Sequence, residues 1–188
     1  YVVIAVILTS IILALTMDSF LIPLFFMLSV GMAIIYNMGT NFIQGEISFI
    51  TEALAAVLQL AVTIDYSIFL WHSYKEEKEK HPGDNKEAMA VAIGKTITSV
   101  VSSSITTVAG FLALCFMSYE LGMDMGIVMA KGVVIGVICC ITVLPSMILV
   151  FDKALEKTMH KDLVPSLEKP SKFIIKHHAA FIVLFIVV

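Results

Sequence analysis

Residues 49–71 read FITEALAAVLQLAVTIDYSIFLW. At 1.5 Å of rise per residue, an apolar helix of this length crosses the roughly 30 Å hydrocarbon core of a bilayer. Deep within it stands one carboxylate, Asp65, followed directly by Tyr66. A charged side chain near the middle of a membrane helix costs about 2.5–3.5 kcal/mol on insertion scales, so it is expected to face a protein interior or a wet cavity. Taking a carboxylate out of water disfavours its charged form. A proton, an ion or a charged partner is therefore the first reading of the position.

The rest of the chain agrees with a membrane setting. Mean hydropathy is +0.98, and only 14% of the 188 residues are charged, against about a quarter in soluble domains. Apolar runs predict helices near residues 1–15, 20–37, 49–73, 92–117 and 125–151, and a sixth run begins at 179. The fold class expected is all-α: a polytopic membrane bundle of five transmembrane helices and the start of a sixth. Residues 1–151 form the helical block, 152–178 a charged linker with Pro165 and Pro170, and 179–188 the next span. Because the sequence opens and closes inside apolar runs, it reads as a piece of a longer chain. Asp18 or Ser19 is expected to cap the second helix, whose first turn accommodates Pro23. Pro145 is expected to bend the fifth.

Every basic residue is a lysine, and the segments 74–87 and 152–178 hold ten of the twelve. The lysine-bearing side is cytoplasmic by the positive-inside rule. This places the chain in the cell (cytoplasmic) membrane, with membrane lipids as its first partners. The Lys/Glu stretch 74–87 reads as a solvated amphipathic segment on that side. No basic stripe with interleaved aromatics points to nucleic acid. The histidines and the three cysteines lack metal-box spacing. Cys115, Cys139 and Cys140 all read as small core residues, so neither metal nor cofactor is called for. There is no Ser–His pair within a helix-turn spacing and no phosphate-binding glycine loop, so an enzyme is not expected.

Two helices carry polar faces. On the third, Glu52, Gln59, Thr63 and Tyr66 share a stripe, with Asp65 about 100° to its side; Glu52, near the outer end, is read as solvated. The fourth has eight hydroxyls between Thr96 and Thr107. Each can bond back to its own backbone, so close packing is one reading and a hydrated lane beside Asp65 the other. The candidate lane comprises Gln59, Thr63, Ser99, Ser102, Ser103 and Thr106. The fifth helix has the pairs Gly122/Gly126 and Gly132/Gly136, a spacing that lets backbones approach closely. Lys131, between the pairs, snorkels outward, pairs with Asp124, or neutralises a more distant carboxylate; the first two are preferred.

Three stretches together resemble the resistance-nodulation-division superfamily, and within it the MmpL type. Ala61-Val62-Thr63-Ile64-Asp65-Tyr66-Ser67 with Ser73-Tyr74-Lys75-Glu76-Glu77 resembles the family's fourth transmembrane helix and its exit. Ser103-Ser104-Ile105-Thr106-Thr107-Val108-Ala109-Gly110-Phe111 is similar to the next helix, and Leu144-Pro145-Ser146 to the end of the sixth. Ser73 and Lys75 stand where Arg is common, and Ile64 where a small residue is usual. The resemblance covers nearly the whole chain and implies helices two to six of one half of a pseudo-symmetric transporter. The partners it implies are a second transmembrane half, a hydrophobic or amphiphilic substrate and, in some arrangements, further copies of the same protein. It also implies proton-driven export with Asp65 and Tyr66 in the proton relay; pairing of Asp65 with a buried lysine of the other half is the competing role. The same five-helix block is similar to the sterol-sensing domain of Patched-like proteins, so a lipid-sensing or scaffold module stands as the alternative function.

Overall fold

A computed structural model describes residues 2–43, 47–117, 120–159 and 175–177. Its helices are α1 (Val2–Thr16), α2 (Leu21–Gly39), α3 (Phe49–Lys80), α4 (Asn85–Leu114), α5 (Glu120–Val150) and α6 (Asp152–Thr158), with a 3₁₀ turn at Thr40–Ile43 after α2. No strand is present among the described residues, and four helices, α2 to α5, are long and apolar enough to span a membrane. The expected all-α polytopic bundle is what the chain forms. α1 is apolar but has 15 residues, fewer than the 20 or so that a full crossing takes. The linker from 160 to 174 and the run from 178 to 188, where the next span is expected, lie outside the described residues, as do Pro165 and Pro170.

α5 is the central mast. It packs against α2, α3 and α4, while α3 also contacts α2 and α4, and α1 lies at the edge. The bundle closes around apolar side chains that include Ile22, Phe26 and Val30 of α2, Leu70 of α3 and Leu144 and Ile148 of α5, all essentially inaccessible. The glycine pairs of α5 do what their spacing predicts. A methyl group at Gly126 would lie 2.6 Å from the Phe111 carbonyl oxygen of α4, and one at Gly136 would lie 2.5 Å from the Thr63 hydroxyl of α3. Neither position has room for a Cβ, so close helix contact depends on both. α5 runs unbroken through Pro145.

The charged stretch 74–87 is amphipathic and largely exposed, with Tyr74 and Glu77 as its buried side, and it belongs to the long helices themselves. α3 continues through it to Lys80, and α4 already begins at Asn85. The reason is that the inward stripe does not stop where the apolar run does: Leu70, Tyr74 and Glu77 follow one another on the same face, all at 2% exposure or less. The turn between the helices uses Pro82, which cannot continue α3, and Gly83, whose φ of +93° is a conformation open to glycine. Asp84 then caps α4 by accepting from the Glu87 N–H at 3.0 Å.

Buried charges need partners, and these have them. Glu77 accepts from Lys95 at 2.6 Å and Lys80 at 2.9 Å. Asp152, at the junction of α5 and α6, accepts from Lys78 at 2.6 Å, Asn85 at 2.6 Å and Tyr74 at 3.1 Å. The first residues of the expected linker are therefore part of the bundle: α6 buries Asp152 and Leu155. The turn before α2 joins the same end. Lys75 pairs with Asp18, while the Ser19 hydroxyl lies 2.7 Å from that of Thr158 and accepts from the Leu21 N–H at 3.3 Å. Ser19 thus supports the start of α2 from one position before its N-cap residue, Phe20. Cys139 and Cys140 are buried and Cys115 is half-buried; all three are free thiols.

Candidate functional site

Asp65 lies on an open face of the block. Its side chain is exposed, in a groove of about 240 Å³ between α3 and α4 lined by Tyr66, Phe69, Ser99, Val100 and Ser103. Of the protein interior and the wet cavity expected for the carboxylate, these five helices supply an open groove rather than an enclosed interior. Helical geometry is the reason: Thr63, Tyr66, Ser67 and Leu70 occupy the inward face, and Asp65 is turned about 100° from its neighbour Tyr66.

Tyr66 is buried at 7% exposure, and its phenol oxygen lies 2.9 Å from the Ser104 hydroxyl of α4. Ser104 is also 2.6 Å from the Val100 carbonyl oxygen one turn earlier. A hydroxyl has one proton to donate. The shorter, helix-internal bond takes it, which leaves the Tyr66 O–H to donate to Ser104. The phenol is held to α4 and keeps a lone pair for a donor arriving from the groove.

The expected single lane separates into two sites. Ser99 and Ser103 share the groove with Asp65, and Ser102 and Thr106 extend the same exposed face of α4. Thr106 donates to the Ser102 carbonyl at 3.2 Å. Gln59 and Thr63 instead point into the bundle, at 2% and 1% exposure. There the Asn37 amide of α2 donates to Gln59 Oε1 at 2.9 Å and to the Val128 carbonyl of α5 at 3.3 Å. Gly132 makes room for that pair: a Cβ there would meet the Asn37 nitrogen at 2.6 Å. Asn37 Oδ1, Gln59 Nε2 and Thr63 Oγ1 are buried without partners. Lys131 donates to Asn41 in the 3₁₀ turn after α2, a contact that none of its expected routes includes.

Residues 1–167 match the sequence profile of the MMPL family. The chain belongs to this family. Among MMPL relatives, ActII-3 of Streptomyces coelicolor is 29% identical over 76% of this chain and 20% of its own length. MJ1562 of Methanocaldococcus jannaschii is 30% identical over 68% of this chain and 32% of its own. YdfJ of Bacillus subtilis, named a membrane protein, is 25% identical over 86% of this chain and 22% of its own. The MMPL chain thus spans about a fifth to a third of the length of these curated relatives. With its apolar helices, this membership makes it a multi-pass membrane protein.

Two functional candidates of this MMPL block do not stand out in the sequence. Ser104 is one hydroxyl among eight, and only the facing phenol distinguishes it. Asn37 reads as the end of a helix; a buried amide is recognisable only once Gln59 and Gly132 are seen opposite it.

Proposed function

We propose that this MMPL block is one half of a proton-driven exporter of lipids, hydrophobic compounds or drugs in the cytoplasmic membrane, and that Asp65 carries the proton. The observation that carries the reading is one carboxylate within a helix long and apolar enough to span a membrane, in a groove with serine hydroxyls and beside a phenol held by a second helix. A carboxylate open to hydrocarbon is costly, so the groove is read as the face that a second transmembrane half covers. On protonation Asp65 becomes a donor, and the Tyr66 oxygen accepts from it. On release the carboxylate calls for a donor, and the Tyr66 proton leaves Ser104 to supply it. The exchange makes or breaks a contact between α3 and α4, and so ties the charge on Asp65 to helix packing. A membrane potential contributes about 2.3 kcal/mol per charge per 100 mV, enough to bias two packings a few kcal/mol apart. The lysine-rich end is cytoplasmic in this arrangement. No catalytic group is required, and substrate passes through parts of the protein beyond this block.

Replacing Asp65 by Asn in the full-length protein keeps the shape and removes the titration. Export and substrate-dependent proton flux in proteoliposomes are expected to disappear, with the melting temperature little changed. Export at the original rate would sink the reading. The non-transporting lipid- or sterol-sensing alternative predicts no proton flux in the unmodified protein, so the same assay separates the two.

A further inference from the structure

The outward face of α3 carries a second titratable side chain in line with Asp65. His72 follows it by seven positions, which brings the two within about 20° of one another around the helix and about 10.5 Å apart along it. Cα–Cβ bonds on a helix tilt toward its N-terminus, so the Cβ of His72 is inclined toward Asp65. His72 is the first residue past the apolar run 49–71, on the lysine-rich side, and it is exposed. Its ring makes no hydrogen bond or ion pair among the described residues, unlike that of His81, which lies 3.1 Å from the Glu77 carbonyl oxygen. Both nitrogens of His72 are thus open to exchange protons on this face.

A polar step lies between the two groups. Phe69, one turn after Asp65 on α3, and Ser99 of α4 both line the groove that holds Asp65. α4 is tied to α3 by Ser104 against Tyr66 at one end of this stretch, and at the other by the Ser73 hydroxyl, which donates to the Ala92 carbonyl at 3.4 Å. Ser99 falls between those ties, and so between the depths of Asp65 and His72. The hydroxyls of Ser104, Thr106 and Thr107 are engaged by backbone carbonyls one turn earlier. That of Ser99 has no such bond among the described residues, so it can accept one proton and pass on another.

The charges around His72 already have partners. Lys75 and Glu76, about one turn beyond it on α3, pair with Asp18 and Lys80, and Glu79 lies a further turn on. On α4, Lys95 is drawn to the buried Glu77 at 2.6 Å. On the inward side, α5 and α6 bring Cys139, Cys140, Asp152 and Glu156, the last two held by Lys78. α1 has no titratable side chain. Among the described residues, His72 is therefore the one group on this face, between Asp65 and the cytoplasm, of a type that ordinarily titrates near neutral pH.

We propose that His72 is the group through which Asp65 exchanges its proton with the cytoplasm. This rests on the reading of Asp65 as the proton carrier. The protonated carboxyl gives its proton to the Ser99 hydroxyl, directly or through water in the groove. The hydroxyl gives its own to the unprotonated ring nitrogen of a neutral His72. A carboxylate and an imidazolium result, and the imidazolium releases the proton to cytoplasmic water. Loading from that side runs through the same steps reversed.

The test needs no substrate. Full-length protein in phosphatidylethanolamine–phosphatidylglycerol vesicles receives a light-triggered pulse of protons from o-nitrobenzaldehyde. Time-resolved infrared follows the C=O stretch of the protonated Asp65 carboxyl, recognised as the band that Asp65→Asn lacks. From neutral pH, His72→Ala is expected to slow the rise of that band by about tenfold or more and to leave its final amplitude unchanged. His72→Gln, which keeps bulk and polarity without titrating, is expected to be equally slow. Added imidazole is expected to restore the rate in His72→Ala and to leave the unmodified protein unaffected. A rise in both variants as fast as in the unmodified protein would overturn the role of His72 and leave Asp65 as the carrier. So would a slowing that imidazole does not relieve, or a lowered amplitude at an unchanged rate, which is what a merely structural histidine predicts. Absence of a titrating Asp65 band in the unmodified protein would overturn the carrier reading itself, and the role of His72 with it.

Discussion

Asp65 and Thr63 stand two positions apart on α3, yet one opens on a groove and the other lies against Gly136 in the bundle interior. Two residues are about 200° of helix, and that rotation decides which polar groups can meet a partner from outside. Ser104 is the residue on which the outward site turns, because it holds the Tyr66 phenol while bonding its own backbone. Ser104→Ala removes two hydrogen bonds, those with the Tyr66 phenol and the Val100 carbonyl, each worth about 0.5–1.5 kcal/mol. It releases the phenol from α4, so substrate-dependent proton flux is expected to fall although Asp65 is intact. Ser104→Thr retains the hydroxyl and is expected to restore it. A merely structural serine would lower the melting temperature and leave the flux per folded molecule unchanged. The Asp65-Tyr66 pair was legible in the sequence as an anomaly in an apolar run. The partition of the polar lane was not, since a stripe on one helix says nothing of which neighbour covers it. Gln59 and Thr63 look like companions of Asp65 until α2 and α5 are placed against them.

At the scale of elements, the apolar runs located every long helix but misjudged their ends. Residues 74–80 are rich in Lys and Glu, a composition that reads as solvated. The helix persists because Tyr74 and Glu77 continue its inward stripe, and Lys80 and Lys95 satisfy the buried carboxylate. The glycines of α5 were legible in spacing, though not in consequence. Gly126 faces the backbone of α4 at a distance that no rotamer change can relieve, whereas a methyl group added at Gly110 of α4 would meet nothing within 4 Å. Gly126→Ala is therefore expected to push α4 and α5 apart and to cost about 1–3 kcal/mol. Gly110→Ala is expected to be neutral or to stabilise by up to about 1 kcal/mol through helix propensity. Thermal unfolding of the two variants in the same detergent gives the comparison. Equal melting temperatures would show that α4 and α5 are not packed as described.

The whole molecule is ordered by where charge can go. The lysine-rich end gathers the α3–α4 turn, the start of α2 and α6, and there Asp18, Glu77 and Asp152 each meet a lysine. The opposite end carries the turn after α4, with Phe116 at 91% exposure. α4 joins the two ends with 30 residues, about 45 Å of helix. That exceeds the roughly 30 Å of hydrocarbon, so its ends emerge on opposite sides of the bilayer. The bias of lysine to the cytoplasmic side then sets the direction. Single cysteines at Lys86 and Phe116, in a background with Cys115, Cys139 and Cys140 replaced by Ala, read this out with a membrane-impermeant maleimide. Lys86→Cys is expected to react only in inside-out vesicles and Phe116→Cys only in right-side-out vesicles. Reversed labelling would invert the bundle and place the Asp65 groove in the opposite relation to the membrane potential, and with it the direction in which a proton on Asp65 could drive α3 and α4. Labelling of both from one side would mean that α4 does not cross at all.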